Sequence, residues 1–136
     1  MVITPHFVHT HIVRVQMTFD VGGISMPEPD LLVISREDAA KCAYPTTAEL
    51  IIEVANTSLA YDRREKMSIY ARARVPDYWI LNVVDRQLEV HRDPHPNRKA
   101  FVGHAYRSVQ ILRESDVVSA LSLPRVYFSI AEMLGP

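Results

Sequence analysis

A lone cysteine, Cys42, excludes an internal disulfide framework and any metal site built on paired thiolates, and it fits a reducing compartment. No apolar stretch approaches the roughly 20 residues that a membrane-crossing helix needs. The N-terminus carries neither the basic start nor the long apolar core of a signal peptide, so the expectation is a cytoplasmic protein. Neither sign of charge dominates: 15 Lys+Arg against 16 Asp+Glu leave a net charge of −1. That balance argues against tight, sequence-independent nucleic-acid binding, which needs a broad basic footprint to displace counterions. Internal repeats and low-complexity tracts are absent too, so a solenoid has no support.

What is present is the profile of one ordinary globular domain spanning residues 1–136, with 48% hydrophobic and 23% charged content. Val13, Val15, Met17 and Phe19 alternate with Arg14, Gln16 and Thr18, the period of a strand with one face buried. A turn is expected at Val21-Gly22-Gly23. Pro27 and Pro29 then hold the chain extended into the apolar run Leu31-Leu32-Val33-Ile34. Ser35 can cap a short helix reaching residue 41 or 42, which Pro45 ends. Residues 49–55 read as a second buried strand, followed by a helix over about 62–73 with Asp62 as its N-cap. Tyr78-Trp79-Ile80-Leu81-Asn82-Val83 reads as a central strand that turns through Asp85-Arg86 into Leu88-Glu89-Val90-His91. Asp93-Pro94-His95-Pro96-Asn97 reads as a loop, strand-like residues resume over 100–106 and 109–112, and a short helix near Ile130 closes the chain.

The most informative residue is Glu53, a carboxylate inside the apolar run Leu50-Ile51-Ile52-Glu53-Val54. Burying it costs several kcal/mol unless a cation or donor meets it. If the strand that begins at Asp30 lies antiparallel to the one that ends at Glu53, the two carboxylates come within about 5 Å. Such a pair suits a hard cation, magnesium or manganese. Lys66, Tyr70 and Ala73 share one helix face. That face can return the lysine over the same spot, where its amine can orient or deprotonate water and steady the charge on a phosphate. Spacing alone does not separate this arrangement from a blander one, in which Asp30 caps a loop and Glu53 forms a buried salt bridge with Lys66.

Four separated blocks resemble the Uma-two family of restriction-endonuclease-like proteins: Pro29-Asp30-Leu31-Leu32-Val33-Ile34, Glu49-Leu50-Ile51-Ile52-Glu53-Val54-Ala55, Tyr61-Asp62-Arg63-Arg64-Glu65-Lys66 with Tyr70-Ala71, and Val75-Pro76-Asp77-Tyr78-Trp79-Ile80. The resemblance runs in order from about Val13 to the C-terminus and includes the Leu88-Glu89-Val90-His91-Arg92 hairpin. It implies the PD-(D/E)XK nuclease superfamily and its restriction-endonuclease-like α/β (α+β mixed) fold, a mixed β-sheet flanked by helices. It further implies a magnesium- or manganese-dependent endonuclease acting on DNA, with Asp30, Glu53 and Lys66 catalytic and with Asp30, Glu53 and the carbonyl of Val54 as metal ligands. The superfamily's lysine stands two residues after the second acid, where this chain has Ala55, so the resemblance moves that role to Lys66. Family members also carry a helical segment before the first strand that supplies another acid and part of a dimer surface, whereas this sequence starts almost at the strand.

Between Asp62 and Arg74 five basic residues face two acidic ones, so Arg63 and Arg64 are candidates to meet phosphate, with Tyr70 beside them. A solvated helix face explains the same pattern. His9 and His11 suit one face of a strand, and His6, His91, His95 and His104 are scattered, but no set of three ligands for a transition metal is identifiable. Trp79 and Tyr78 can stack on a base, though their setting in an apolar strand suits the core better. A strand edge left open near the N-terminus points to a homodimer. The alternative to a nuclease is a non-catalytic binding or assembly module on the same fold, its acids kept as a buried pair with Lys66.

Overall fold

The computed structural model describes residues 4–7, 11–15, 18–20, 27–40 and 45–136. A one-turn helix, α1 (Thr4–Phe7), precedes six strands: β1 (His11–Val15), β2 (Leu31–Ser35), β3 (Leu50–Ala55), β4 (Asp77–Asn82), β5 (Gln87–Pro96) and β6 (His104–Arg113). They form one sheet in the order of the chain. Every neighbouring pair is antiparallel except β3 and β4, which run parallel. A parallel pair needs a crossover. The segment between these strands supplies it as one continuous helical stretch: α3 (Leu59–Tyr61), a π-helical turn over Asp62–Lys66, and α4 (Met67–Arg72).

Alternation along the strands sends side chains to two faces. One face, with Leu32, Ile34, Ile51, Tyr78 and Ile80, packs under the crossover helix through Ile69, Tyr70 and Ala71. The other, with Leu31, Val33, Leu50, Ile52, Trp79 and Leu81, is covered by the C-terminal segment. That segment pairs β7 (Val117–Val118) with β8 (Phe128–Ser129) and ends in α5 (Ile130–Leu134). Both faces of β4 are therefore buried, which explains why all six of its residues are inaccessible. Asp77 anchors the lower cover: it accepts from Trp79 Nε1 at 2.6 Å, from Arg92 Nε at 2.9 Å and from the Leu121 amide at 2.9 Å.

The antiparallel pairing of the strands that flank Asp30 and Glu53, the β4–β5 hairpin and the terminal helix agree with the sequence reading. Ser35 caps α2 (Arg36–Ala39) by accepting from the Asp38 amide, but the helix stops at Ala39 with Ala40 as its C-cap, short of the expected 41 or 42; Cys42, Met17, His9 and the turn at 21–23 lie outside the described residues. Phe19 is fully buried but is not in a strand; its amide donates to the Pro27 carbonyl. The expected loop at 93–97 is instead largely strand, since β5 runs to Pro96 against β6. β4 begins at Asp77, opposite Arg92, so Pro94 and Pro96 lie where only one side of β5 is paired and a missing N–H is tolerated.

The crossover helix stops with a Schellman arrangement in which the Val75 amide donates to the Tyr70 carbonyl and the Arg74 amide to the Ala71 carbonyl. The left-handed position is filled by Arg74, at φ 62°, where glycine is the unstrained choice. Arg74→Gly is expected to stabilise the domain by about 0.5–1 kcal/mol, read as a higher urea midpoint at unchanged m-value.

Candidate active site

The β2–β3 ladder ends at the pair Leu31 and Ile52, so Asp30 and Glu53 are the next residues outward on either side. Each side chain takes a backbone donor from the other strand. The Asp30 amide donates to Glu53 Oε1 at 2.8 Å, and the Val54 amide donates to Asp30 Oδ2 at 2.8 Å. In an extended strand the N–H and C=O of one residue point to the same edge, so the Val54 carbonyl faces the Asp30 side as well.

Glu53 is only 1% exposed, and the crossover helix meets it from above. Lys66 Nζ lies 2.7 Å from Glu53 Oε2, and the Tyr70 hydroxyl donates to the same oxygen at 3.0 Å. Lys66 Nζ is also 3.5 Å from Asp62 Oδ1 and 5.5 Å from the Tyr61 ring centroid, a cation–π contact. Asp62 is buried as deeply as Glu53; Ser58 Oγ donates to its Oδ2 at 2.8 Å.

The π-helical turn that carries Asp62 and Lys66 has a visible cause. The Met67 amide reaches back five residues to the Asp62 carbonyl. The buried Tyr78 hydroxyl donates to that carbonyl at 2.9 Å, so a strand side chain enters the helix ladder at the bulge. The core aromatic Tyr78 thereby fixes the geometry of the charged turn above it.

Burial pushes the Glu53 carboxyl above its ordinary range, against the opposing pull of Lys66, the Asp30 amide and Tyr70. Asp62 moves the same way by burial, with the charge of Asp30 adding to it and Ser58 and Lys66 opposing. Burial alone would lower Lys66, but its contacts with Glu53 and Asp62 outweigh that and raise it, so the amine is an ammonium at neutral pH. Tyr70 is held far above its ordinary value by burial and by Glu53, and it acts as a neutral donor.

Glu53 pairs with Ile80 across β3–β4, and Ile80 with Glu89 across β4–β5, so the two glutamates stand on one row of the same face. Arg63 caps Glu89 as Lys66 caps Glu53: its Nε donates at 2.8 and 3.1 Å to the two carboxylate oxygens, and its Nη2 adds a further bond. Burial pushes the Glu89 carboxyl up, and contact with His91 and Arg63 more than reverses this, leaving it below its ordinary value. His91 Nε2 lies 3.6 Å from Glu89, an ion-pair distance; neither ring nitrogen makes a hydrogen bond.

Asp30, Glu53, Val54 and Lys66 thus converge as the sequence suggests. Two expectations change. Asp62 is no N-cap, because the helix begins a turn earlier at Leu59; its side chain is a third carboxylate at the site. Tyr70, expected beside a phosphate, is fully buried and its hydroxyl donates to Glu53. Arg64 is exposed, and Arg63 keeps 45% of its side chain exposed while bound to Glu89. Asp62 was detectable from its i, i+4 spacing to Lys66. Glu89 was detectable from Gln87, Glu89 and His91, polar at every second residue of a strand whose alternates are apolar.

Among the described residues no group of three or more His, Cys, Asp or Glu side chains could hold a metal. No helix among them is long and apolar enough to cross a membrane. No curated protein matches the chain. The crystal structure of a putative nuclease belonging to DUF820 from Anabaena variabilis ATCC 29413 superposes with a TM-score of 0.67 at 11% identity, covering 98% of this chain and 72% of that one. At that identity the likeness establishes the fold, a mixed six-stranded sheet of the restriction-endonuclease-like type. Residues 4–131 match the Uma2 family, described as "Putative restriction endonuclease", and the chain belongs to that family.

Proposed function

We propose that this domain is a divalent-metal-dependent endonuclease that hydrolyses DNA phosphodiester bonds. The observation that carries the reading is the mutual clasp of Asp30 and Glu53 with the Lys66 ammonium beside it. The donor set fits magnesium or manganese: hard oxygens from two carboxylates and the Val54 carbonyl. That no third acidic or histidine side chain joins Asp30 and Glu53 as a ligand among the described residues is no obstacle, since magnesium is commonly held by one or two carboxylates plus water and substrate phosphate. A metal bound there would act as Lewis acid and lower the pKa of a bound water.

The chain's own residues supply the rest. Asp30 and Glu53 are preorganised by backbone donors and need little rearrangement to act together. Tyr70 holds Glu53 Oε2 from the buried side. Lys66, kept cationic by two carboxylates, suits stabilisation of the charge that builds on the phosphoryl oxygens and is unsuited to act as a general base. Arg63 and Arg64 lie on the same helical turn, exposed in whole or part, where the backbone of a bound strand can pass.

A second reading is favoured by the 2.7 Å contact between Lys66 and Glu53: the pair is a structural salt bridge in a non-catalytic binding module. Thermal melting separates the two. Millimolar manganese is expected to raise the melting temperature, because a ligand that binds only the folded state stabilises it, and Asp30→Asn is expected to remove most of the rise. A melt that ignores both magnesium and manganese favours the binding module.

A further inference from the structure

We propose that Asp62 is a second seat for the Lys66 ammonium, which takes up the cation when Glu53 turns its Oε2 to an incoming metal. Asp62 Oδ2 is tied to Ser58, whereas Oδ1 is buried, has no hydrogen-bond partner among the described residues and lies 3.5 Å from Nζ. A buried carboxylate oxygen that accepts no hydrogen bond is costly, so its long ion pair with an ammonium that carries three protons calls for an explanation. Glu53 is the crowded partner: Oε1 accepts from Asp30, and Oε2 accepts from both Lys66 and Tyr70. A divalent cation at Asp30 and Glu53 would compete for the same lone pairs and repel the ammonium. Closing the gap to Asp62 takes a shift of under about 1 Å, to reach the normal length of a charge-assisted hydrogen bond. Asp62 itself cannot follow, because Ser58 holds its side chain and Tyr78 its carbonyl.

Asp62 is thus a positioning residue. It keeps Lys66 over the reacting phosphate after the metal has claimed Glu53. The handover rests on the metal-dependent reading above, but the second seat is a property of three side chains and can be tested without metal.

The test is a double-mutant cycle in urea, with chelator, using Glu53→Gln and Asp62→Asn. Each substitution keeps an oxygen to accept from Asp30 or from Ser58. With one carboxylate left, each single variant keeps the ammonium paired; with neither, the double variant leaves a largely buried ammonium, 19% exposed, without a carboxylate. The unfolding equilibrium of the double variant is expected to shift about tenfold or more beyond the product of the single effects. The coupling is expected to vanish in a Lys66→Met background. If the double variant does not fold at all, the triple variant with Lys66→Met is expected to fold, since it carries no unpaired ammonium. Independent effects in the Lys66 background, or a triple variant as unfolded as the double, would overturn the second seat. Manganese calorimetry tests the handover: affinity is expected to fall in Asp62→Asn, and an unchanged affinity would overturn it. Wild-type protein that binds no manganese would defeat the metal reading and the handover, leaving the cycle to decide the seat.

Discussion

Glu53→Gln is expected to lose divalent-metal binding, on the order of 100-fold or more in affinity, while the domain stays folded. The amide oxygen can still accept from the Asp30 amide, the contacts of Tyr70 and Lys66 with Oε2 are lost to the amide nitrogen, and Asp62 remains for Lys66. The substitution also changes the pH dependence. Because burial raises the folded-state Glu53 carboxyl above its ordinary 4.5, the folded chain binds more protons than the unfolded chain just above that pH. Stability linked to this group therefore falls as pH rises from 4.5 through the raised value and is level beyond it. Urea midpoints in chelator are expected to show that fall in the wild type and a flatter profile in Glu53→Gln. Metal affinity has the opposite slope, rising as the carboxyls of Glu53 and Asp62 lose their protons. A variant that binds manganese as the wild type does would remove Glu53 from the site.

Lys66→Ala has the largest expected cost in stability. It strips the cation from two carboxylates that are each 1% exposed, and removal of one partner from a buried pair typically costs about 3–5 kcal/mol. The loss is expected to exceed that of Glu53→Gln or Asp62→Asn, because Lys66 is the cation for both acids, whereas losing one acid leaves Lys66 the other. The sign with pH is reversed relative to Glu53. The Lys66 amine is raised above its ordinary 10.5, so its contribution is full below that value and disappears as pH climbs through the raised one. The difference between wild type and Lys66→Ala is therefore expected to hold through neutrality and shrink only in strong alkali. Acid narrows it from the other side, as protonation of Glu53 and Asp62 removes the charges that Lys66 neutralises. Chemical denaturation across that range checks both arms, and a Lys66→Ala variant as stable as the wild type at pH 7 would refute the pairing.

The proline-led run into β2 and the apolar setting of Glu53 made the Asp30–Glu53 encounter readable from sequence, whereas the alternation over 13–19 misled in part, since Val15 is exposed and Phe19 lies outside any strand. These signals are local: a buried carboxylate in a strand demands a partner wherever the strand lies. What sequence did not reveal depends on tertiary contacts. The π-helical turn forms because a hydroxyl from β4 reaches a helix carbonyl, and nothing within Asp62–Lys66 announces it. Asp62 read as a cap because aspartate is a good one, yet Ser58 stands four residues earlier, the helix starts at Leu59, and the carboxylate turns inward. The strand through Pro94 and Pro96 was hidden because proline punctuates loops far more often than it occupies a half-paired strand. The Glu89–Arg63 pair was legible in principle, but only once the sheet order set Glu89 on the same row as Glu53.

The deciding experiment is cleavage of supercoiled plasmid by wild type and Lys66→Ala, purified identically and assayed with magnesium, manganese or chelator. Nicked and linear products are expected from the wild type with either metal, none in chelator, and a rate lowered about 100-fold or more in folded Lys66→Ala. Intact plasmid with every metal, from wild-type protein shown to be folded, would contradict the endonuclease reading and leave Asp30, Glu53 and Lys66 as the buried charge cluster of a binding module.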